Sequence, residues 1–558
     1  MQLHKFAASL LAFVLLAPAW AQDPAPPLPP LQLPPVEPPA IGELPWLKQL
    51  ELQGARIGEI RITPQNIFDL TDQREDYLLY RMANAIHVVT REGVIRRTLL
   101  FKSGDPLSVR VIEETERLLR STLQVYAANV RAIAYHDDGT VDLEVVTRDR
   151  WTLDPSISFS RTGGVNNDRI AIKDSNLFGT GTSVGFSRSS NVDRTSDTFN
   201  IAHPHFFAPF VNASYAYADT SDGRSWGVGV QRPFYALDSR DTWGLSADSN
   251  IRNEAVYIGG VNTGVYRHEQ NNATAVYGVS RGLVDGWTRR HSIGYSYQDN
   301  GYAPVPGQSP AGELPSDLTL SGPYYAFHII QDRFRTGSNY DAIGKPEDFN
   351  VGLDFAVQVG RSFYSLGSTR QQWLYTTTIA KGADIGERGL LRTNANFSGR
   401  YASGGEQQVS SLQTRYFHRQ QHGFTLYAAF AGSMVRNPDV PNPLTLGGDN
   451  DLRGYPVRYQ SGNKSVLVNL EERVYTDWYP LRLIRVGGAV FYDGGRAWGG
   501  ATPNTGNSGW LNDVGFGLRL LTDRSAVGNV LHIDLAFPLN RAQGIDAVQL
   551  LIYTKTSL

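Results

Sequence analysis

From Trp151 onward helical periodicity disappears, and the chain becomes a long series of period-two segments of about 9 to 14 residues. Gly, Asn, Asp, Ser and Pro separate them. In "DVGFGLRLL", Val514, Phe516, Leu518 and Leu520 fall on one face and Gly515, Gly517 and Arg519 on the other. In "VLHIDLAFP", Leu531, Ile533, Leu535 and Phe537 oppose His532, Asp534 and Ala536. In "LIRVGGAVFYDGG", Ile484, Val486, Val490 and Tyr492 oppose Arg485, Gly487, Ala489, Phe491 and Asp493. Each strand therefore has an apolar face and a face that carries charge. Such a pattern fits either a soluble all-β sandwich or a membrane barrel, whose lipid side is apolar and whose lumen is polar.

The N-terminus favours the barrel. Lys5 is followed by the apolar run "FAASLLAFVLLAPAW", and Ala19-Trp20-Ala21 is a small-x-small cleavage pattern. Residues 1–21 read as a signal peptide. No other apolar run reaches 18 residues, so any membrane crossing is by strands. Aromatic residues near strand ends (Tyr475, Trp478, Trp498 and Trp510) suit the two membrane interfaces. The expected fold class is an all-β transmembrane antiparallel barrel over residues 151–558. Direct counting gives roughly twenty candidate strands, although segments such as "AVYIGGVNTGVYRH" also read as long loops.

Between signal and barrel lie two further regions. Residues 22–51 read as a proline-rich linker: ten prolines fall within residues 23–46, which favours an extended spacer. Residues 52–150 read as one small α+β domain of order β-α-α-β-β. "ARIGEIRITP" alternates. "QREDYLLYRMANAIHVV" has helical spacing in Leu78, Met82 and Ile86, and "VRVIEETERLLRSTL" in Val111, Ile112, Leu118 and Leu119. A hairpin follows, turning at Asp138-Gly139, with Val141, Leu143 and Val145 alternating after it.

Much chemistry is excluded or weak. The chain has no cysteine, so there is neither disulfide framework nor thiolate site. Its net charge of -2 gives no reason to expect nucleic acid as a partner. No cofactor or metal motif is present. Gly278-Val279-Ser280-Arg281-Gly282 matches G-x-S-x-G, but the hydrolase motif needs a strand-turn-helix elbow and this stretch is strand-like. His203 and His205 flank a proline in what reads as a short turn. No catalytic residue is assigned.

These residues resemble the superfamily of outer-membrane barrels that includes BamA, TamA and FhaC. "GDPLS…IEETERLLRS…DGTVDLEVVTRD" is similar to a single POTRA domain of that family. "NLFGTG" (Asn176 to Gly181) and "HPHFF" (His203 to Phe207) look like its early periplasmic turns. Leu452-Arg453-Gly454-Tyr455 resembles the Arg-Gly-Phe/Tyr motif of an extracellular loop folded into the lumen. Asn469, Glu471 and Arg473 resemble the strand after that loop, and Phe491, Asp493 and Gly495 the Phe-x-Asp-x-Gly motif of the next one.

The resemblance implies a barrel of sixteen strands, a single POTRA-like domain in the periplasm of a Gram-negative cell, and five strands after the loop. It also implies that Arg453 binds Asp493 in a lumen latch, with Phe491 against the guanidinium and Gly454 and Gly495 allowing close approach. The implied partners are outer-membrane lipid and client polypeptides, the latter captured by strand addition to the POTRA sheet. The implied function is insertion, assembly or translocation of polypeptides, with the barrel seam between residues near 153–162 and near 548–558 as the lever. Two-partner secretion and a passive pore or surface antigen are the competing readings.

Overall fold

The computed structural model describes residues 47–555, apart from short stretches at 74, 259–260, 309–312, 344–346, 403–404, 439–442, 449, 481–482, 500–508, 523–529 and 542–544. The signal peptide and the proline tract lie outside the described residues.

The small domain is an α+β unit. Its elements are α1 (Leu47–Leu52), β1 (Arg56–Gln65), α2 (Leu78–Ile86), α3 (Glu92–Thr98), α4 (Val109–Ser121), β2 (Val125–Tyr135) and β3 (Thr140–Asp149). The three strands form one sheet in the order β1-β3-β2, with β1 parallel to β3 and β2 antiparallel to it. Val141, Leu143 and Val145 alternate into the core, where Ile57, Ile62, Ile112 and Leu119 meet them. Gly139 makes the hairpin turn with a φ of +79°, a conformation that suits glycine.

Three features differ from the sequence reading. Leu47–Leu52, placed there in the linker, is a helix whose Leu50 is fully buried in the domain core. This stretch has left the proline tract and spaces Leu47 and Leu50 three apart, one turn of helix. A third helix, α3, sits between the two that periodicity indicates. Helix α2 forms where its spacing predicts, yet Leu78, Met82 and Ile86 are 74%, 53% and 62% exposed. Tyr80 is the side chain that packs inward, stacked on Phe68 at 4.2 Å.

The remainder is a closed antiparallel barrel of twenty strands among the described residues. Going round the wall from the first strand, these are β4 (Leu153–Thr162), β5 (Val165–Leu177), β6 (Thr182–Ser190), β7 (Thr195–His203), β8 (Asn212–Thr220), β9 (Gly223–Arg232), β10 (Asp241–Ile258), β11 (Val261–Val284), β12 (Trp287–Pro304) and β13 (Leu318–Gln331). A two-stranded hairpin outside the wall follows, β14 (Phe334–Gly337) and β15 (Glu347–Asn350). The wall resumes with β16 (Leu353–Arg361), β17 (Trp373–Ile385), β18 (Gly389–Ala402), β19 (Gly405–Arg419) and β20 (Phe424–Arg436). A second small sheet, β21 (Leu444–Leu446) with β22 (Gln460–Gly462), brackets the Arg453 loop. Five strands complete the circuit: β23 (Lys464–Tyr475), β24 (Ile484–Trp498), β25 (Leu511–Thr522), β26 (Val530–Pro538) and β27 (Gln549–Lys555).

The expected sixteen strands are therefore corrected to twenty. The family analogy led to discounting segments in the middle of the chain as loops. There the "AVYIGGVNTGVYRH" stretch is the tip of the β10–β11 hairpin, with Ala255 opposite Val265 and Glu254 opposite Tyr266. These strands are 18 and 24 residues long, well beyond the roughly 9–11 that cross a bilayer. Their outer ends are too polar to read as a span, yet they are fully paired. Backbone pairing holds them, with Val256 and Tyr266 buried near the tip.

The wall closes unevenly. Every neighbouring pair of wall strands is joined by seven or more registered residue pairs, as at β13–β16 and β26–β27. The exception is β27 with β4, joined among the described residues only at Ile552 opposite Arg161.

Candidate functional site: the lumen loop and its wall

The loop between β21 and β22 turns inward at the end of the barrel far from the small domain. Backbone bonds brace its rim: Leu452 N donates to Gly447 O (3.2 Å), and Val457 N donates to Gly163 O of the β4–β5 turn (3.2 Å). Arg458 reaches Asp193 in the β6–β7 loop at 2.8 Å. At the centre of the loop, Arg453 is 3% exposed.

Period-two alternation determines what Arg453 meets. Asn469, Glu471 and Arg473 of β23, Phe491 and Asp493 of β24, and Asp513 and Arg519 of β25 all face the lumen, as do Asp534 of β26 and Tyr553 of β27. Arg453 Nε donates to Asp493 Oδ2 at 2.6 Å, and Nη2 to Asp493 Oδ1 at 2.7 Å. This is the two-pronged geometry that a guanidinium offers a carboxylate. Nη2 also lies 2.8 Å from Glu471 Oε1, and Nη1 donates to Asp534 Oδ2 at 3.3 Å. The Phe491 ring lies under the guanidinium, 3.4 Å from its carbon to the ring centroid.

A second layer holds these groups. Asn469 Nδ2 donates to Asp493 Oδ1 (2.8 Å) and to the Asp451 carbonyl (2.9 Å), tying strand to loop. Arg473 Nε donates to Glu471 Oε2 at 2.7 Å, with its guanidinium 3.6 Å from the Tyr427 ring centroid. Tyr455 is fully buried, and its hydroxyl donates to Asn512 O at 2.9 Å. Tyr553 donates to Asp534 Oδ2 at 2.9 Å, Arg519 pairs with Asp534, and Lys555 Nζ donates to Asp451 Oδ1 at 2.5 Å.

Glycine is required at Gly454, where an added Cβ would lie 2.5 Å from Asp513 Cβ. At Gly495 it would lie 2.8 Å from a Leu446 methyl. All nine sequence-selected residues thus belong to one loop-to-wall contact. Asn469, Glu471, Phe491 and Asp493 lie around Arg453. Arg473 acts through Glu471, Tyr455 anchors the loop, and Gly495 sits beneath Leu446.

Several residues of this network were not singled out by sequence, namely Asp451, Asp513, Asp534, Tyr553 and Lys555. Asp534 was detectable as a charge on the inward face of β26. Tyr553 and Lys555 share the inward parity of β27, but no motif marks them. Asp451 depends on the path of the loop, which alternation does not describe.

The other sequence candidates lie elsewhere. Ser280 is near the end of β11, its hydroxyl donating to Arg289 O at 2.8 Å within a strand hairpin. His203 Nδ1 is 2.9 Å from Thr182 Oγ1. His205 is buried where the β7–β8 turn meets the small domain: Phe210 N donates to its Nδ1 (3.0 Å), and its Nε2 lies 3.2 Å from Thr98 Oγ1. That geometry fits neutral imidazole. Burial first, and then the nearness of His203 and the Arg97 guanidinium, pushes its pKa down to about 4.

The small domain bears on the barrel at further turns. Asn176 Nδ2 donates to Thr90 Oγ1 at 2.8 Å. Leu237 N donates to Glu114 Oε1 at 2.7 Å, and Arg110 pairs with Asp238.

No family model and no curated protein matches the chain. Among solved structures it is similar to CdiB from Acinetobacter baumannii (13% identity over 90% of this chain and 74% of that one, TM-score 0.42). It is also similar to BamA from Haemophilus ducreyi lacking POTRA domains 1–3 (14% identity, 90% and 84% covered, TM-score 0.37). CdiB from Escherichia coli is similar at 11% identity, with 90% and 76% covered and a TM-score of 0.48. By its own architecture, this chain is a closed antiparallel β-barrel that follows a small α+β domain and carries an inward-folded loop on its last strands.

Proposed function

We propose that the chain is an outer-membrane barrel that inserts or translocates polypeptides, with the small domain as a POTRA-like client receptor in the periplasm. The observation that carries this reading is the seam. A wall with, among the described residues, one registered pair at β27–β4 and seven or more at every other junction has a predetermined place to part. An opened seam presents two unpaired strand edges, and a client strand satisfies them through backbone bonds that tolerate any sequence.

Two further observations support it. The small domain's sheet ends at β2, whose outer edge pairs with no other strand among the described residues. A client strand added there gains the same ladder. The outer wall is apolar where a lipid contact requires it: Ile170, Ile172, Leu245, Ile293, Phe516 and Leu518 all project exposed from strands.

In this scheme the Arg453 contact is a latch. It fixes the loop to β23–β26, beside the seam, and keeps that side of the wall rigid while β27 and β4 part. The latch role is tested by charge exchange: Arg453→Asp and Asp493→Arg each lower heat-modifiability and surface level, and the double exchange restores part of both. If the double exchange restores nothing, the pairing has no such role.

The function is tested by depletion. Loss of the chain lowers the levels of other outer-membrane barrels or of a secreted partner. Depletion that leaves the envelope and secreted proteomes unchanged overturns the assembly and secretion readings. One observation favours a passive pore instead: a polar cavity of about 390 Å³ on the inner wall of β11–β19, lined by Ser296, Gln298, Gln358, Thr376 and Ser398 among others. Steady conductance in planar bilayers, without a depletion phenotype, would decide for it.

A further inference from the structure

The connection between β13 and β16 is far longer than a turn needs to be, and it does not run along the rim. It contains the β14–β15 hairpin, which forms a sheet of its own and shares no ladder with the wall. Its neck is narrow, since Val351 N donates to Arg333 O at 2.9 Å. Beyond the neck, its side chains enter the lumen at the small-domain end.

On one side Tyr340 packs edge-on against Phe417 of β19 (5.4 Å between centroids), in a buried cluster with Phe349 and Leu390. Asp341 receives Arg392 Nη1 of β18 at 2.7 Å, and Arg415 of β19 lies 3.6 Å away. On the other side Ile343 is 1% exposed, packed against Tyr475 of β23, Leu521 of β25 and Val530 of β26. The segment therefore bridges the wall from β18 to β26, a run of seven neighbouring strands. It lies between the Arg453 layer and the small-domain mouth.

The small domain holds the same hairpin from outside. Arg120 of α4 donates to Asp348 Oδ2 through Nε (3.2 Å) and Nη2 (3.1 Å). Arg117, one turn earlier, places its guanidinium 4.7 Å from the Phe334 ring centroid. Asp348 is further fixed by Thr336 Oγ1, which donates to its Oδ1 at 2.6 Å.

We propose that residues 332–343 and 347–352 form a plug for the lumen, held closed by α4 and released when the small domain shifts. The inference rests on the membrane-barrel reading. Side chains and one narrow neck hold the segment, so it can leave without breaking any ladder bond of the wall. The seam and the plug are then separate devices. The seam admits a strand sideways, whereas the plug governs passage through the lumen. Arg117 and Arg120 couple the plug to the domain proposed to meet the client first.

The test uses the full chain in planar bilayers, with potassium chloride conductance as the readout. Arg120→Glu and Ile343→Ser each raise the fraction of open time, by about tenfold, and Arg120→Glu combined with Asp348→Arg returns it toward wild type. The chain has no cysteine, so Ile343→Cys with Leu521→Cys gives an unambiguous lock that also serves if the other variants fail to fold. The oxidised lock stays closed, and reductant restores wild-type opening. Insertion with the same conductance in the wild type, Arg120→Glu and Ile343→Ser, or unreduced conductance in the oxidised lock, overturns the plug alone. A wild-type chain that neither inserts nor shows a heat-modifiable barrel overturns the membrane reading, and the plug with it.

Discussion

The two sides of the lumen are built differently. The wall of β23–β27 faces inward with charge and is sealed: Arg473, Asp493, Asp513, Arg519 and Asp534 are buried, and a loop packs on top of them. The wall of β11–β19 lines an open cavity with Ser, Thr, Gln and Tyr, together with Arg361 and Arg400. One sheet with one alternation rule thus yields a packed side and an open side. The difference lies in what faces each wall. Charge on the first is answered by Arg453 from the loop; the polar groups on the second border an open cavity.

That contrast fixes where substitutions should matter. The largest loss is expected on the packed side. Arg453→Ala leaves Asp493 without its cation, whereas Asp534 keeps Arg519, and stripping one partner from a buried pair costs about 3–5 kcal/mol. Thermal unfolding in detergent, followed by the heat-modifiable gel shift, measures it. A midpoint equal to wild type would show that the loop lies on the wall without stabilising it. Gly454→Val comes next, because its Cβ would collide with Asp513. Overpacking of this kind costs about 1–3 kcal/mol, read in the same assay.

A smaller effect is expected at the join of small domain and barrel. His205 is held neutral with its pKa near 4, below the ordinary value of 6.5, so the unfolded or undocked form binds the proton more readily. Stability of the join is complete above about pH 6.5 and declines as pH falls towards 4. Limited proteolysis between domain and barrel should accelerate across that window, and His205→Gln should flatten the profile. An unchanged profile in the variant would assign the acid sensitivity elsewhere. The smallest effect belongs to the open wall. Gln358→Ala and Ser398→Ala should each stay within about 0.5 kcal/mol of wild type, as surface changes usually do. A larger loss there would erase the contrast between the two sides.

How much of this was legible in the sequence follows the same division. On the packed side each strand is buried on its inner face and apolar on its outer one, so period two names the inward residues directly. Alternation alone sets Glu471, Phe491 and Asp493 on the inner face; that Arg453 meets Asp493 and Phe491 is what the family resemblance implies, and the contact with Glu471 is legible only in the structure. In the middle of the chain, strands such as β10 and β11 run past the membrane thickness, and polar residues occupy both faces of their ends. The alternation fades there while the backbone ladder continues; direct counting still gives about twenty strands, and the expectation of sixteen comes from the family resemblance alone, against twenty among the described residues. The plug was invisible for a related reason. Tyr340, Ile343 and Phe349 sit in a Gly-, Asn- and Asp-rich connection, and only three-dimensional closure brings them to walls far apart in sequence. The exposed stripe of α2 shows the converse error, since correct spacing identified a helix without revealing which face is buried.

The central claim is that the wall works by parting at β27–β4. In the cysteine-free chain, Arg161→Cys with Ile552→Cys places a disulfide across the registered pair of the seam. The measurement is complementation of a depletion strain, scored as the level of other outer-membrane barrels or of a secreted partner, with and without reductant. Complementation should fail when the pair is oxidised and recover when it is reduced. Full complementation by a quantitatively crosslinked chain would contradict it.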